Sequence, residues 1–344
     1  MQRNATDNLL KQAEKVPLNV ACVVIGRNEG ARLLESLRSV QAAGLPLVYV
    51  DSGSSDGSVE AARKLAIHSL ELDSSEPFSA ARARNRGLEE VMLAWPETQY
   101  VLFLDGDCTV DPGFPAVAAR QLEHDSHCAI VTGHLAEQHP DQSIYNRLCS
   151  FEWQSPPGRM DGFKALGGIM AVRVSAFRAV GGFNPKAIAG EEADLGIRLR
   201  LAGYSVIKLD APMATHDARI LSFRQWWIRA VRGGHAFAQG YALHGGGKFH
   251  EGRRAVLSAL FWGLALPALI LLTLYPSRGW SAVLLVGYVV LALRMFRHYR
   301  AAGLSPSDAR LAARFGLYAK FAHVIGIFRF WLAGAKGSRI IEYK

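Results

Sequence analysis

The chain has 344 residues, 50% of them hydrophobic and 20% charged, which excludes a disordered polypeptide and leaves room for about two domains. Its formal net charge is +9, but the Lys and Arg residues are scattered and no aromatic-basic RNA-binding pattern accompanies them, so we expect no nucleic-acid partner. The four cysteines have neither CxxC spacing nor a zinc-binding pattern.

Residues 1–17 form a polar extension without the apolar core of a signal peptide, so we expect the domain that follows to stay on the cytoplasmic side. From there the sequence alternates between short apolar runs and segments of helical spacing. The runs at 18–26, 45–50 and 100–104 read as strands covered on both faces. The alternation predicts an α/β domain over residues 18–217, with a mostly parallel sheet and flanking helices.

Polar residues stand at the ends of the first two predicted strands. Arg27 and Glu29 follow the first, and Asp51 ends the second in a turn of small residues, DSGSSDGS. The carboxyl ends of parallel strands meet at one edge of a sheet, where ligands bind. Asp51 is therefore placed to accept hydrogen bonds from a base or a ribose, although an ordinary Asp/Ser/Gly turn also explains it. The absence of GxGxxG and of GxxxxGK[ST] disfavours a dinucleotide dehydrogenase and a P-loop enzyme.

The next helix and strand bring arginines and carboxylates to the same edge. The segment ARARNRG contains Arg84 and Asn85, and we expect one or two of its arginines to face a diphosphate while the others are solvated. The strand YVLFL then runs into Asp105 and Asp107, separated by Gly106. Two carboxylates on a tight turn suit a hard divalent cation such as Mg²⁺ or Mn²⁺, whereas a DxD elsewhere is often an ordinary acidic turn.

A third acidic group precedes the last predicted helix of this domain. Glu191, Glu192 and Asp194 stand in the segment AGEEADLGIRL. The dipole of a helix N-terminus alone accounts for two such acids. A Glu on a loop preceded by Gly also suits a general base that takes a proton from an acceptor hydroxyl.

The C-terminal third has the character of a membrane segment. Residues 255–275 lack charge and are long enough to cross a bilayer, and a second apolar run begins at Trp280. Arginines flank this pair, so we predict a transmembrane hairpin over 253–297 with both ends in the cytoplasm; a buried soluble helical pair is the alternative. We expect an amphipathic interfacial region over 218–252 and a cytoplasmic or interfacial tail over 298–344.

Six segments in sequence carry a resemblance to a known family. VVIGRNE, VDSGSSDGS, ARARNRG, VLFLDGDCTVDP, GGIMAVRVSAFRAVGGF and GEEADLGIRLRLAGY resemble, in this order, the motifs of family 2 glycosyltransferases of the GT-A fold. The resemblance covers residues 18–217 and implies an inverting transfer from a nucleotide-diphospho-sugar with Mg²⁺ or Mn²⁺. The processive members carry QxxRW, which RQWWIRA only approaches, so single-sugar transfer is favoured.

The resemblance also assigns roles to residues. It implies Glu192 as the catalytic base with Glu191 and Asp194 beside it, Asp107 as the main metal ligand, and Asp105 near both ribose and metal. His216 resembles a family His near the site, and we assign it to the metal. The donor nucleotide would meet Arg27, Glu29, Asp51, Arg84, Asn85 and Asp105, and the sugars would meet Gly167 and Gly168.

The sequence therefore predicts transfer of a sugar to a hydroxyl of a lipid-linked or envelope-glycan acceptor at the cytoplasmic face of the inner membrane. The chain would be a multi-pass protein in contact with membrane lipid. One alternative is a polyprenyl-phosphate glycosyl synthase of the same fold, whose acceptor needs no strong base. The other is a non-catalytic membrane protein that binds a nucleotide-sugar or a glycan.

Overall fold

The structure is a computed structural model that describes residues 19–65, 67–160 and 168–333. The predicted extension over 1–17 lies outside this part. The chain divides into two compact units, residues 1–219 and 220–344.

The first unit is an α/β domain. Its strands are β1 (Val20–Gly26), β2 (Leu47–Asp51), β3 (His68–Glu71), β4 (Tyr100–Asp105), β5 (Cys108–Val110), β6 (Cys128–Glu137), β7 (Gly158–Arg159), β8 (Met170–Arg173) and β9 (Ser205–His216). Its helices are α1 (Ala31–Ala42), α2 (Ser58–Lys64), α3 (Ala80–Ala94), α4 (Phe114–His124), α5 (Ile144–Glu152), α6 (Val174–Ala179) and α7 (Glu191–Leu201).

All nine strands described belong to one sheet, in the order β3-β2-β1-β4-β8-β6-β9-β5, with β7 beside β9. The β1–β4 half is parallel, as predicted. In the other half β8 runs antiparallel to β4 and to β6, and β5 runs antiparallel to β9. The sheet is therefore mixed beyond β4, since β8 is antiparallel to both of its neighbours whereas β6 and β9 are parallel to each other.

Alternating residues of β1 pack into two hydrophobic cores, one on each face of the sheet. Cys22 and Val24 belong to the cluster that α1 covers, whereas Ala21 and Val23 belong to the cluster that α3 covers. Gly87 brings α3 close to the sheet, since a Cβ at this position would lie 2.3 Å from a methyl carbon of Val23. The close packing fixes α3, and with it the arginines of its first turns.

Backbone hydrogen bonds tie together the loops that follow β1, β2 and β4. The Gly106 N–H donates to the Ile25 carbonyl at 2.7 Å, and the Ser52 N–H donates to the Gly26 carbonyl at 3.0 Å. A Cβ on Gly106 would lie 3.1 Å from that same Ile25 carbonyl oxygen, so a small residue suits the turn. The polar residues at the strand ends consequently share one edge of the sheet.

The second unit is helical in the part that the structure describes. Helix α8 (Phe223–His244) begins with a capping box in which Ser222 and Gln225 exchange side-chain and backbone hydrogen bonds. Three helices follow that are long and apolar enough to cross a membrane, by length and composition: α9 (Arg253–Leu274), α10 (Trp280–Ala301) and α11 (Pro306–Ala333). Helix α9 contains a π-helical segment, Phe261–Ala265, and α10 starts with a 3₁₀ segment.

Glycines allow α8 and α11 to cross at close range. A Cβ on Gly326 would lie 2.0 Å from the Val231 carbonyl oxygen, and one on Gly234 would lie 2.2 Å from the His323 carbonyl oxygen. Trp226 of α8 also packs edge-on against Phe315 of α11, with ring centroids 4.8 Å apart. Trp226 is thus a packing residue of this unit.

Helices α9 and α10 coincide with the predicted hairpin over 253–297. Both present large exposed apolar side chains, such as Leu272, which is 78% exposed. Helix α11 is a third segment of spanning length, where the sequence predicts an interfacial or re-entrant segment because it carries Lys320, His323 and Arg329. The three helices fit a membrane anchor.

Candidate active site

A buried arginine connects the end of β4 with the start of α7. Arg84 lies on α3 with a side chain that is only 2% exposed, and its two terminal nitrogens donate to Asp105 Oδ1 and to Glu191 Oε1, each at 2.7 Å. Burial by itself lowers the pKa of Arg84, but the two carboxylates outweigh it and raise that pKa, so the guanidinium stays charged. The group neutralises acids that would otherwise repel one another.

Gly168 closes over this ion group. Its φ of +76° is a left-handed conformation, and a Cβ there would lie 2.1 Å from Asp105 Oδ2. The sequence assigns Gly168 to the sugars, and the structure places it directly against the Asp105 carboxylate. Gly167, the other glycine predicted to approach a sugar, lies outside the described residues.

Glu192, the predicted base, stands in the first turn of α7 beside Glu191. Burial raises the pKa of Glu192 to about 7, and the charge of Glu191 adds to this shift while Arg84 opposes it. Asp194 differs, because its Oδ2 accepts from Arg198 Nη2 at 2.7 Å and from Arg198 Nε at 2.9 Å. Asp194 is thus paired within α7, and its predicted place in the catalytic group stays a prediction.

A second buried group lies on the other side of the β4–β5 turn. His216 Nε2 is 3.6 Å from Asp107 Oδ2, and His216 Nδ1 is 3.0 Å from Glu137 Oε2. Strand pairing explains the arrangement, since His216 on β9 faces Cys108 of β5 on one side and Glu137 of β6 on the other. Burial alone would lower the pKa of His216, but the neighbouring carboxylates raise it well above its usual value.

The atoms of this second group fit a metal ion. Two ligands about 2.1 Å from one ion lie roughly 3 to 4 Å apart, and the Asp107 Oδ2–His216 Nε2 distance is in that range. Ligand atoms of Asp107, Cys108 and His216 all lie within 4.8 Å of one another. Asp105 does not belong to this set among the described residues, because its carboxylate pairs with Arg84.

The predicted nucleoside contacts have local partners as well. Asp51 is fully buried and accepts from the Tyr49 hydroxyl at 2.6 Å, from the Ser54 hydroxyl at 2.5 Å and from the Ser54 N–H at 2.7 Å. It therefore shapes the loop after β2.

Two residues of the loop after β1 are anchored at the same edge. Glu29 pairs with Arg32 of α1 at 2.5 Å. The Arg27 guanidinium carbon lies 5.4 Å from the centre of the Phe78 ring, a cation–π contact.

Asn85 is tied to the turn that follows α6. Its side-chain amide donates to the Phe183 carbonyl at 2.8 Å and accepts from the Phe183 N–H at 2.9 Å. This pairing fixes the turn after α6, and the predicted contact of Asn85 with the donor nucleotide stays a prediction.

The sequence analysis missed Glu137 and Cys149. Glu137 ends a strand that the apolar pattern did not reveal, and Cys149 lies on a short helix. Both have ligand atoms within 4.8 Å of those of His216. No local motif marks either residue, and only the distant pairing of β6 with β9 brings Glu137 into the site.

Comparison with known sequences identifies the family of the α/β domain. Residues 21–180 match the sequence model of Glycosyl transferase family 2. Residues 21–180 therefore form a family 2 glycosyltransferase domain. The glycosyltransferase is also 26% identical to the succinoglycan biosynthesis protein ExoA of Rhizobium meliloti (strain 1021), over 86% of this chain and 89% of that protein.

A solved structure shows the same fold. The mannosyltransferase PcManGT from Pyrobaculum calidifontis, solved in complex with GDP-Man and Mn²⁺, aligns with a TM-score of 0.56 at 18% identity and covers 97% of this glycosyltransferase and 96% of its own chain. The GT-A fold predicted from the motifs is confirmed, with α9 to α11 added as C-terminal apolar helices.

Proposed function

We propose that this glycosyltransferase transfers one sugar, with inversion, from a nucleotide-diphospho-sugar to a hydroxyl of a lipid-linked or envelope-glycan acceptor. The observation that carries the proposal is the pair of buried charged groups on either side of the β4–β5 turn, Arg84 with Asp105 and His216 with Asp107. The first group is centred on the Arg84 guanidinium, and the second on the Asp107 carboxylate and the His216 imidazole. Together they suit a diphosphate and the divalent ion that accompanies it.

In the proposed site Asp107 and His216 hold Mg²⁺ or Mn²⁺, with Asp105 nearby. The ion would neutralise charge on the departing nucleoside diphosphate. The mannosyltransferase PcManGT, which shares the fold, was solved with a nucleotide-sugar and Mn²⁺, and this supports the choice of donor and ion. Arg27, Glu29 and Asp51 stand at the adjoining strand ends as the nucleoside side of the site.

Glu192 is the proposed base. With a pKa near 7, it takes the proton of the acceptor hydroxyl while the hydroxyl oxygen bonds to the anomeric carbon. The bond from that carbon to the diphosphate breaks at the same time, and the nucleoside diphosphate leaves from the opposite face. An acceptor hydroxyl needs this assistance, whereas an already ionised phosphate acceptor does not.

The proposed location is the inner membrane, with the first unit in the cytoplasm. Three helices of spanning length support attachment to a membrane. Arginines concentrate in the first turn of α9 and in the last turns of α10, as the positive-inside rule requires of cytoplasmic ends. The similarity to a succinoglycan biosynthesis protein supports a glycan as the product class.

The decisive assay incubates the detergent-solubilised full chain with Mn²⁺ and a panel of nucleotide-sugars, and measures the release of nucleoside diphosphate. We expect one donor to be consumed, and consumption to be lost in Asp107→Asn. If the wild type binds a nucleotide-sugar but releases nothing when membrane extract supplies acceptors, the chain is a binding protein and the proposal is wrong.

A further inference from the structure

Glu137 is a buried carboxylate that the proposed reaction has not yet used. Its side chain is 0% exposed, Oε2 lies 3.0 Å from His216 Nδ1, and Oε1 accepts the Ala218 N–H at 3.2 Å. The parallel pairing of β6 with β9 sets Glu137 opposite His216. Both oxygens of this carboxylate are therefore directed at the segment that carries the histidine.

The histidine ring has two nitrogens with different surroundings. Nδ1 faces Glu137, and Nε2 faces Asp107 Oδ2 at 3.6 Å. A carboxylate only accepts hydrogen bonds, so Glu137 requires a proton on Nδ1. In a neutral ring, that proton leaves the lone pair on Nε2, which is the nitrogen on the side of Asp107.

We propose that Glu137 is a positioning residue that holds His216 in the tautomer and orientation in which Nε2 binds the divalent ion beside Asp107. The inference rests on the proposed metal-dependent function and deepens it. A carboxylate behind a metal-binding histidine fixes the ring and increases its basicity. Glu137 would act on the ion only through His216.

The contact with Ala218 allows a substitution that changes only the hydrogen bond to His216. In Glu137→Gln the amide oxygen still has the Ala218 N–H to accept, which turns the NH₂ group toward His216 Nδ1. An NH₂ group donates, so Nδ1 must accept and the ring proton moves to Nε2. The variant keeps the size and the backbone contact of Glu137 but presents the wrong nitrogen to the ion.

The strand pair supplies a matched control. His134 of β6 pairs with Asp210 of β9 through Nε2 and Oδ1 at 2.8 Å, and both side chains are more than 40% exposed. Asp210→Asn therefore makes the same chemical change to a carboxylate–histidine pair on the same two strands. Neither residue belongs to the ion-binding group of the described chain.

The test titrates the full chain in detergent with Mn²⁺ alone and measures free Mn²⁺ by electron paramagnetic resonance. We expect Glu137→Gln to weaken binding by about 10- to 100-fold, and Asp210→Asn to leave it unchanged. In the His216→Ala background, Glu137→Gln should have no further effect, because Glu137 acts through that ring. A residue with a purely structural role would weaken both backgrounds alike.

The outcomes separate this inference from the proposed function. If His216→Ala weakens Mn²⁺ binding and Glu137→Gln does not, Glu137 has no positioning role while the metal site stands. If Asp107→Ala leaves Mn²⁺ binding unchanged, the metal assignment of the proposed function fails instead.

A second measurement does not depend on the folding of the variants. In the Co²⁺-loaded wild type, proton NMR should show a strongly shifted, solvent-exchangeable resonance from the Nδ1 proton of His216, slow to exchange because Glu137 holds it. The absence of such a resonance would overturn the inference.

Discussion

Glu191 and Glu192 are neighbours in sequence, yet they have different electrostatic surroundings. Glu191 is bound to a charged guanidinium at 2.7 Å, whereas Glu192 has a pKa raised to about 7. A carboxyl whose pKa lies near 7 can gain and lose a proton at neutral pH, as acid–base chemistry requires. Glu192 therefore has the proton affinity that the proposed base requires.

We expect Glu192→Gln to lower the transfer rate by about 10²- to 10⁴-fold, because the variant cannot accept a proton. Donor affinity, measured by calorimetry, should stay near that of the wild type. Glu123→Gln, which changes an exposed acid on α4, is the control and should leave both quantities unchanged. A collapse of donor affinity in Glu192→Gln would make Glu192 a donor ligand instead.

The pH profile gives an independent check of the same residue. A base must be deprotonated, so the rate should rise with pH through about 7. At pH 6 the rate should be about a tenth of its plateau, since one pH unit below a pKa leaves roughly a tenth of the group ionised. The residual activity of Glu192→Gln should lack this rise, and a rise that persists would assign it to another group.

Gly168→Ala tests the close packing over Asp105. The new Cβ would collide with Asp105 Oδ2, so we expect donor affinity to fall by about tenfold or more, which is about 1.4 kcal/mol. Gly181 has nearly the same φ, +78°, and a Cβ added there would have no atom within 4 Å. Gly181→Ala thus carries the same backbone cost of about 1–2 kcal/mol without the collision. Equal affinities in the two variants would contradict the predicted contact.

At the scale of elements, the sequence predicted the parallel half of the sheet well. Continuous apolar runs such as 18–26 and 100–104 mark buried strands, and polar residues at their ends mark the ligand edge. The mixed half was harder, because β5 has three residues and β7 has two, too few for a period to show. The partnership of Glu137 with His216 depends on register between strands far apart in sequence, which no local pattern encodes.

The crossing of α8 and α11 is an element-scale feature with a direct test. Gly326→Ala would place a methyl group 2.0 Å from the Val231 carbonyl oxygen, and overpacking of this kind costs about 1–3 kcal/mol. We expect the thermal unfolding temperature of the full chain in detergent to fall by several degrees.

Gly316 of the same helix provides the comparison for this substitution. A Cβ there would meet only the flexible end of Met295. Gly316→Ala should be neutral or slightly stabilising, because Ala is the better helix former. A similar loss of stability in both variants would mean that the backbone contact at Gly326 is not what matters.

At the scale of the whole molecule, the orientation of the chain in the membrane is the main prediction. The arginines in the first turn of α9 and in the last turns of α10 predict that both ends of this hairpin lie in the cytoplasm, with Arg278 between the two helices on the other side. Helix α11 carries Lys320 and Arg329 and crosses α8 at its glycines, which supports an interfacial position.

Reporter fusions test this orientation. Alkaline phosphatase fused after Arg278 should be active, since that turn is predicted to lie outside the cytoplasm. The same reporter fused at the C-terminus should be inactive, and a fluorescent protein there should be bright. Active phosphatase at the C-terminus would mean that α11 is a third membrane span.

The guanidinium of Arg84, which pairs with both Asp105 and Glu191, limits how the sequence of this enzyme can change in evolution. It compensates two acids that lie 86 positions apart in the chain, Asp105 and Glu191, so drift at any of the three sites leaves an uncompensated charge in the interior. Lineages descended from a common ancestor should therefore replace the three residues in concert or retain them all. Such covariation would reveal the architecture of the catalytic pocket from genomes alone.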